Sequence, residues 1–186
     1  MTKIAIFASG RGSNARKIMD YFRDKSEVEV ALIVSNKQNA PVLELASDHQ
    51  ISSLVLHKSS FYHSDEILQE LRAFEIDFIV LAGFLWLIPE YLIKAYPKRI
   101  INIHPALLPS YGGKGMYGMN VHRAVQQAQE QHSGITIHYV NEHYDEGNIL
   151  FQARCEVSKK DSAEDIAKKV QALEHQYFPA IIEAVL

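Results

Sequence analysis

Cysteine is nearly absent from this chain. Cys155 is the only one among 186 residues, which excludes an intramolecular disulfide framework and a zinc site built from several cysteines. The residues around Cys155 alternate in polarity as in a β-strand, so we interpret it as a small strand residue rather than a nucleophile. Other side chains must therefore carry any chemistry.

Long apolar runs and an excess of positive charge are also missing. No stretch reaches the length of a membrane span, and a net charge of −3 gives no basic field for holding nucleic acid non-specifically. The first ten residues enter a strand directly and lack the apolar segment and cleavage site of a signal peptide. These absences predict a soluble, cytoplasmic protein with neither a nucleic-acid nor a membrane partner.

The remaining composition is typical of a globular domain. Hydrophobic residues make up 47% and charged residues 22% of a chain long enough to bury a substantial core. We therefore predict a single domain over residues 1–186.

Short apolar runs alternate with amphipathic stretches through the first half of the chain. The alternation has the order β-α-β-α-β-α-β and predicts an α/β fold with a Rossmann-like, doubly wound, mostly parallel sheet. Two later alternating runs flank an acidic turn and predict an antiparallel C-terminal hairpin. The predicted strands are Lys3–Ala8, Val28–Ser35, Ser53–Leu56, Asp77–Ala82, Ile100–Ile103, Gly134–Val140 and Ile149–Glu156.

A glycine-rich turn, Ser9–Asn14, separates the first strand from an amphipathic helix. Glycines let a backbone approach a ligand closely, and free N–H groups at a helix start attract anions. The spacing fits neither G-x-G-x-x-G nor the P-loop pattern, so a monophosphate is a better candidate than a dinucleotide or ATP. The alternative is an ordinary tight turn that uses glycine for positive φ.

Asn102 and His104 stand two residues apart at the end of the fifth predicted strand, directly before Pro105. Side chains two apart on a strand share a face, and the C-terminal strand ends of open α/β sheets usually hold ligands. An amide N–H beside an imidazole suits a reaction that builds negative charge on oxygen. The alternative is that turn hydrogen bonds satisfy both side chains.

Three further stretches are candidates for the site. The apolar segment Phe84–Pro89 follows a strand end and suits either a pocket wall for a flat heterocycle or core packing. The glycine-rich run Tyr111–Gly118 is interpreted as a mobile flap with Lys114 as a phosphate contact, or as a surface connector. In the acidic turn Asn141–Gly147, three carboxylates could bind a metal, although a solvated hairpin tip is commoner. Asp145 stands at the tightest point of this turn, where a carboxylate can be fixed pointing inwards.

Several of these blocks together resemble one enzyme family. The set S-G-x-G-S-N (Ser9–Asn14), V-L-A-G-F (Val80–Phe84), N-I-H-P-A-L-L-P (Asn102–Pro109) and G-x-T-x-H-x-V followed by D-x-G-x-I (within 134–149) closely resembles the phosphoribosylglycinamide formyltransferases. These are folate-dependent enzymes of purine synthesis, and the resemblance runs from residue 3 to about residue 180.

The resemblance implies a formyl transfer from 10-formyltetrahydrofolate to the amine of 5-phosphoribosylglycinamide, without a metal. Asn102, His104 and Asp145 match the catalytic residues of the family. Asp145 is expected to hold His104 protonated, so that His104 and Asn102 stabilise the oxyanion. Asp145 is also expected to help move the amine's proton to the departing folate nitrogen.

The resemblance also implies two binding regions and a monomer or homodimer. We expect a phosphate-binding half at about 1–100 and a folate-binding and catalytic half at about 101–186. The residues that match the phosphate and ribose site are Gly10, Arg11, Gly12, Ser13, Asn14, Pro105 and Glu174. The residues that match the folate site are Leu85, Trp86, Leu87, Ile88, Ile93, Ile100, Asn141 and Tyr144.

The chain departs from the family pattern at Trp86, where many members have arginine, and in a longer loop at Gly112–Gly118. Three alternatives stay open. A formyl-folate hydrolase would be expected to have an N-terminal regulatory domain, and a methionyl-tRNA formyltransferase a basic C-terminal RNA-binding domain. A non-catalytic nucleotide-binding module would not need the set of Asn102, His104 and Asp145.

Overall fold

The computed structural model describes residues 1–186 as one seven-stranded sheet with helices on both faces. The strands are β1 (Thr2–Phe7), β2 (Val28–Ser35), β3 (Ser52–Val55), β4 (Phe78–Leu81), β5 (Ile100–His104), β6 (His132–Tyr139) and β7 (Ile149–Glu156). The helices are α1 (Ser13–Phe22), α2 (Pro41–Asp48), α3 (Lys58–His63), α4 (Glu66–Ala73), α5 (Glu90–Ala95), α6 (Met119–Gln127) and α7 (Ala163–Val185). None of the helices is both long and apolar enough to cross a membrane.

The strand order in the sheet is β3-β2-β1-β4-β5-β6-β7. Strands β1 to β5 pair in parallel, whereas β6 runs antiparallel to β5 and β7 antiparallel to β6. The prediction of a mostly parallel, doubly wound sheet with an antiparallel C-terminal hairpin is confirmed. The reversal at β6 matters for the site, because it places Asn102 of β5 directly opposite His138 of β6.

Alternation along β1 divides the core between the two faces of the sheet. Ile4 and Ile6 belong to a cluster of 25 buried residues that includes side chains of α1, α2 and α7. Ala5 and Phe7 belong to a second cluster of 16, which includes side chains of α4 and α5. Every residue of β4 is buried, as expected for a strand that parallel neighbours and helices cover on all sides.

The structure differs from the sequence-based prediction in one helix and at several strand boundaries, most of them by a single residue. Helix α3 was not predicted, because Phe61 is its only buried residue and one apolar position gives no periodicity. Strand β6 starts two residues earlier than predicted, at His132. Helix α7 continues through Pro179 to Val185.

Close backbone packing between β6 and β7 requires glycine at position 134. A Cβ atom added there would lie 2.0 Å from the Ala153 carbonyl oxygen and 2.8 Å from Leu107 Cδ2. Because a backbone atom cannot move aside as a flexible side chain does, the two strands would have to separate.

We predict that Gly134→Ala lowers the free energy of unfolding by about 2–3 kcal/mol, through this clash. Urea denaturation measures the change. Gly10→Ala is the matched control for stability, because a Cβ atom at Gly10 meets nothing within 4 Å. Equal stability of the two variants would contradict the packing argument.

Candidate active site

A cavity of about 840 Å³ opens at the C-terminal ends of β1, β4 and β5. Five segments line it: the glycine turn, the apolar segment after β4, the end of β5, the turn before β7 and the glycine-rich flap. The lining residues come from 10–14, 81–88, 102–105, 113–119 and 143–145, with His122, His138, Val140 and several residues of α7. The fold thus brings together segments that are far apart in the chain.

The carboxylate of Asp145 joins the polar side chains in the middle of the cavity. The backbone of Asp145 has φ of 58°, a left-handed conformation uncommon for a residue with a side chain. Its carboxylate accepts a hydrogen bond from the Gly113 N–H at 3.0 Å and one from Asn102 Nδ2 at 3.3 Å. The carboxylate also lies 3.4 Å from His104 Nδ1 and 3.6 Å from His138 Nε2. The side chain is only 10% exposed, so the prediction that it points inwards is confirmed.

These contacts hold the pKa of Asp145 below its usual value. Burial alone would raise the pKa, but the neighbouring His138 and His104, together with the Gly113 N–H, favour the charged form more strongly. Asp145 is therefore an ionised carboxylate at neutral pH.

His104 lies between two acceptors and is only 5% exposed at its side chain. Nε2 donates to the Tyr111 carbonyl oxygen at 2.7 Å, and Nδ1 faces Asp145. Burial nevertheless lowers the pKa of His104 below its usual 6.5, and it outweighs the opposite effects of Asp145 and the Tyr111 carbonyl. The acceptors on both ring nitrogens favour the imidazolium, whereas burial disfavours it, so the expectation that Asp145 keeps His104 protonated stays a prediction.

Asn102 is oriented by a residue that sequence reasoning missed, His138. The ring of His138 is almost fully buried, and its Nδ1 donates to the Tyr139 carbonyl at 2.8 Å. This bond leaves Nε2 as an acceptor for Asn102 Nδ2 at 3.1 Å. The alternation of β6 assigns His138 to the same strand face as Thr136, but nothing in the sequence shows which strand lies opposite.

Both N–H bonds of the Asn102 amide are therefore directed at protein acceptors, His138 and Asp145. For Asn102 to donate to an oxyanion as expected, one of these two N–H groups must leave its protein acceptor. The contact with Asp145, at 3.3 Å, is the longer of the two and is the weaker by geometry.

The glycine turn forms the other polar end of the cavity. Gly12 is the N-cap residue of α1, with φ of 73° and no side-chain cap. A Cβ atom at Gly12 would lie 2.5 Å from Val42 Cγ2, so glycine is needed there. No side chain caps the helix, and the Ser13 hydroxyl accepts a bond from Gln171 Nε2 at 3.2 Å. No side chain therefore occupies the first N–H groups of α1, which suits an anionic ligand.

Glu174, which the resemblance implies for the phosphate and ribose site, lines the cavity beside Asn14. Asn14 Nδ2 donates to Glu174 Oε2 at 2.9 Å, and the Asn14 Oδ1 atom is buried without a partner. Burial raises the pKa of Glu174, and the bond from Asn14 offsets part of this effect.

Arg11 and Lys168 add exposed positive charge to the lining. Lys168 was not predicted, because a lysine on an exposed helix face gives no distinguishing signal.

An aromatic cluster forms the apolar end of the cavity. Trp86 packs against Phe61, Tyr62 and Phe84, with ring centroids 5.6, 6.0 and 6.3 Å away. The segment is held by Ser9, whose hydroxyl accepts a bond from the Leu85 N–H at 2.9 Å. Ser9 is almost fully buried, and its role in fixing this segment was not predicted.

The predicted residues divide into two groups by position. Leu85, Trp86, Leu87, Ile88, Tyr144 and Pro105 all line the cavity, as do residues 10–14 of the glycine turn. Ile93, Ile100 and Asn141 do not line it, although they were expected at the folate site. Ile100 is enclosed in the core, and Ile93 packs against the same core cluster. The Asn141 side chain accepts a bond from the His143 N–H.

His122 is a further buried group that the sequence did not single out. It lines the cavity from α6, and its Nδ1 atom has no hydrogen-bond partner. Burial and the nearby His104 both lower the pKa of His122 below 6.5. The centre of the cavity thus combines an ionised carboxylate with desolvated imidazoles, an arrangement suited to moving protons and stabilising negative charge.

We predict that these buried histidines make the protein less stable as the pH falls. The folded-state pKa values of His104 and His122 lie below the unfolded value of 6.5. On acidification below 6.5 the unfolded chain therefore binds protons first, and the free energy of unfolding decreases. Each group contributes at most about 1.4 kcal/mol per pH unit.

Urea denaturation between about pH 7.5 and about pH 5.5 measures this slope. His122→Gln removes one titrating group and should make the slope shallower than that of the wild type. His63→Gln, which changes an exposed histidine, is the control and should leave the slope unchanged. Identical slopes for all three proteins would contradict the assignment of a lowered pKa to His122.

Comparison with known proteins places the chain in a family. The family model described as Formyl transferase matches residues 2–182. The chain is 45% identical over 189 residues to "Phosphoribosylglycinamide formyltransferase, chloroplastic" from Arabidopsis thaliana, covering 98% of this chain and 65% of that protein. It is 36% identical to "Phosphoribosylglycinamide formyltransferase" from Bacillus subtilis, covering 100% and 95%.

A solved structure gives the same relationship. The crystal structure of phosphoribosylglycinamide formyltransferase from Bacillus halodurans superposes with a TM-score of 0.89 at 36% identity, covering 100% of this chain and 95% of that one. The chain spans less than two thirds of the length of the plant relatives, 65% for Arabidopsis thaliana and 60% for Vigna unguiculata. From its sequence and its fold, the chain belongs to the formyl transferase family.

Proposed function

We propose that this protein transfers the formyl group of 10-formyltetrahydrofolate to the amine of 5-phosphoribosylglycinamide, a step of purine synthesis. The observation that carries the proposal is the cluster of Asn102, His104 and Asp145, which lies between an anion-binding turn and an apolar wall. The names of the relatives from Bacillus subtilis and Arabidopsis thaliana support the same reaction.

The phosphorylated substrate binds at the glycine turn in this proposal. The free N–H groups at the start of α1 and the positive charge of Arg11 and Lys168 suit a phosphate. Glu174 faces the same part of the cavity and accepts hydrogen bonds from the ribose hydroxyls. The bond from Asn14 fixes the Glu174 carboxylate in that direction.

The folate binds at the opposite end. Leu85, Leu87 and Ile88 line a pocket for the flat pterin ring, and Tyr144 lies on the same wall. Trp86 stands where many family members have arginine, so the folate's aminobenzoyl end meets an aromatic surface rather than a cation. With both ligands bound in this way, the amine and the formyl carbon meet beside His104.

The chemical step follows from this placement. The amine nitrogen attacks the formyl carbon, and the formyl oxygen takes up negative charge. His104 and Asn102 stabilise that charge. The bond between the formyl carbon and the folate nitrogen then breaks. Asp145, ionised and within hydrogen-bonding reach of the centre, accepts the amine's proton and delivers it, directly or through water, to the departing folate nitrogen.

The burial of His104 in the free protein adds one requirement to this step: the reaction itself must favour the imidazolium over the neutral ring. Its pKa is low because burial disfavours charge. Negative charge that develops on the formyl oxygen compensates this desolvation and favours the imidazolium. We infer that His104 carries a proton taken up from solvent, and that it acts as a charged electrophile when this negative charge develops.

We also propose that residues 1–186 act as one domain in the cytoplasm, as a monomer or homodimer, with the two small molecules as the partners. The continuous sheet supports the single domain, and the match over the whole chain to the Bacillus subtilis relative supports the location. The expected division into a phosphate-binding half at about 1–100 and a folate-binding and catalytic half at about 101–186 stays a prediction. Glu174 and Leu85 line the same cavity from opposite halves of the chain.

We predict that formyl transfer requires the acceptor, 5-phosphoribosylglycinamide. We expect loss of 10-formyltetrahydrofolate only when 5-phosphoribosylglycinamide is present, with equal formation of the formylated product. His104→Ala and Asp145→Asn should each reduce turnover by roughly a hundredfold or more, because each removes a group at the reacting centre. Absorbance of the released folate measures the rate.

Exposed-residue variants serve as controls for this assay. His63→Ala and Asp48→Asn remove the same residue types far from the cavity, and they should retain wild-type turnover. Loss of the formyl group without an acceptor would identify a hydrolase instead. A fully active His104→Ala protein would refute the mechanism.

A further inference from the structure

The turn Tyr111–Gly113 contacts both reactive side chains through its backbone. The Tyr111 carbonyl accepts the hydrogen bond from His104 Nε2 at 2.7 Å. Two residues later, the Gly113 N–H donates to Asp145 Oδ2 at 3.0 Å. The positions of the imidazole and the carboxylate relative to each other therefore depend on the conformation of this one turn.

The conformation of the turn is strained and tightly packed. Tyr111 has φ of 57°, in the left-handed region that disfavours residues with a side chain. A Cβ atom at Gly112 would lie 2.5 Å from Leu108 Cδ2 and 3.3 Å from Asp145 Cβ, so the backbone presses directly against Asp145. Strained backbone of this kind persists only where surrounding contacts hold it in place.

The side chain of Tyr111 supplies such a contact outside the cavity. Its ring packs against the main core cluster, and its hydroxyl donates to Glu130 Oε1 at 2.7 Å. Burial and Glu130 raise the pKa of Tyr111 to about 12, so the hydroxyl remains a donor at neutral pH. Glu130 follows α6 and does not line the cavity.

We propose that Tyr111 and Glu130 are positioning residues for the formyl transfer, and that their hydrogen bond fixes the turn that orients His104 and Asp145. Neither side chain touches the substrates in this account. The kinetic part of this inference rests on the proposed function. The effect on the state of His104 does not.

A purely structural role for Tyr111 predicts a different result. In that case, removal of the hydroxyl would lower stability and leave the surroundings of His104 unchanged. In a positioning role, removal loosens the turn, and the Tyr111 carbonyl, which favours the charged ring, moves away from His104. The titration of His104 then shifts, because the ring loses the Tyr111 carbonyl and its burial changes with the position of the turn.

The test compares Tyr111→Phe with the wild-type protein. Phenylalanine keeps the packed ring and removes only the hydroxyl. We expect the NMR titration of His104 to shift away from that of the wild type and kcat to fall roughly fivefold, with the KM for the phosphorylated substrate unchanged. Tyr21→Phe is the matched control, because Tyr21 donates an equally exposed hydrogen bond to Glu183, away from the cavity.

Changes at Glu130 complete the test. Glu130→Ala should reproduce both effects, whereas Glu130→Gln, which keeps an acceptor oxygen, should retain the wild-type titration and kcat. Tyr111→Phe combined with Glu130→Ala should be no worse than either change alone. The proposal is overturned if His104 titrates alike in Tyr111→Phe and Tyr21→Phe. If the wild-type protein transfers no formyl group, the proposed function fails, and the titration still decides this inference.

Discussion

The carboxylate of Asp145 is the point on which the rest of the site depends. It contacts Asn102, His104, His138 and Gly113, and these residues come from β5, β6 and the flap. One charged group can connect three segments because its own backbone takes a left-handed turn that aims it inwards. Its ionisation matters equally, since only the carboxylate favours the charged form of an imidazole beside it.

The sheet topology makes this arrangement possible. Parallel strands bring the glycine turn, the apolar segment and the Asn102–His104 pair to one edge. The antiparallel strand β6 then places His138 opposite Asn102, and the turn before β7 returns Asp145 to the same place. The reactive centre therefore lies where the sheet changes from parallel to antiparallel, between two ends with opposite preferences, one for an anion and one for an apolar ring.

Much of the fold and part of the site were predictable from sequence, because local residue patterns determine them. Strand periodicity predicted the sheet and its hairpin, and the glycine spacing predicted the tight turn at Gly12. The alternation of β5 predicted that Asn102 and His104 share a face. The rest depends on contacts between distant segments. Burial of His104 opposes the effect of its carboxylate neighbour. Ile100 faces the core rather than the cavity. Neither follows from nearby residues, and the roles of His138 and Ser9 depend on which strand or loop lies beside them.

The central claim is that His104 and Asp145 act as one unit. A double-mutant cycle on single-turnover formyl transfer tests this most directly, with the four proteins wild type, His104→Gln, Asp145→Asn and the combined variant. Groups that work as a unit lose nearly all of their contribution when either is removed. The account predicts that the combined variant is no slower than the slower single variant. Losses that multiply would show that the two residues act independently, and would contradict it.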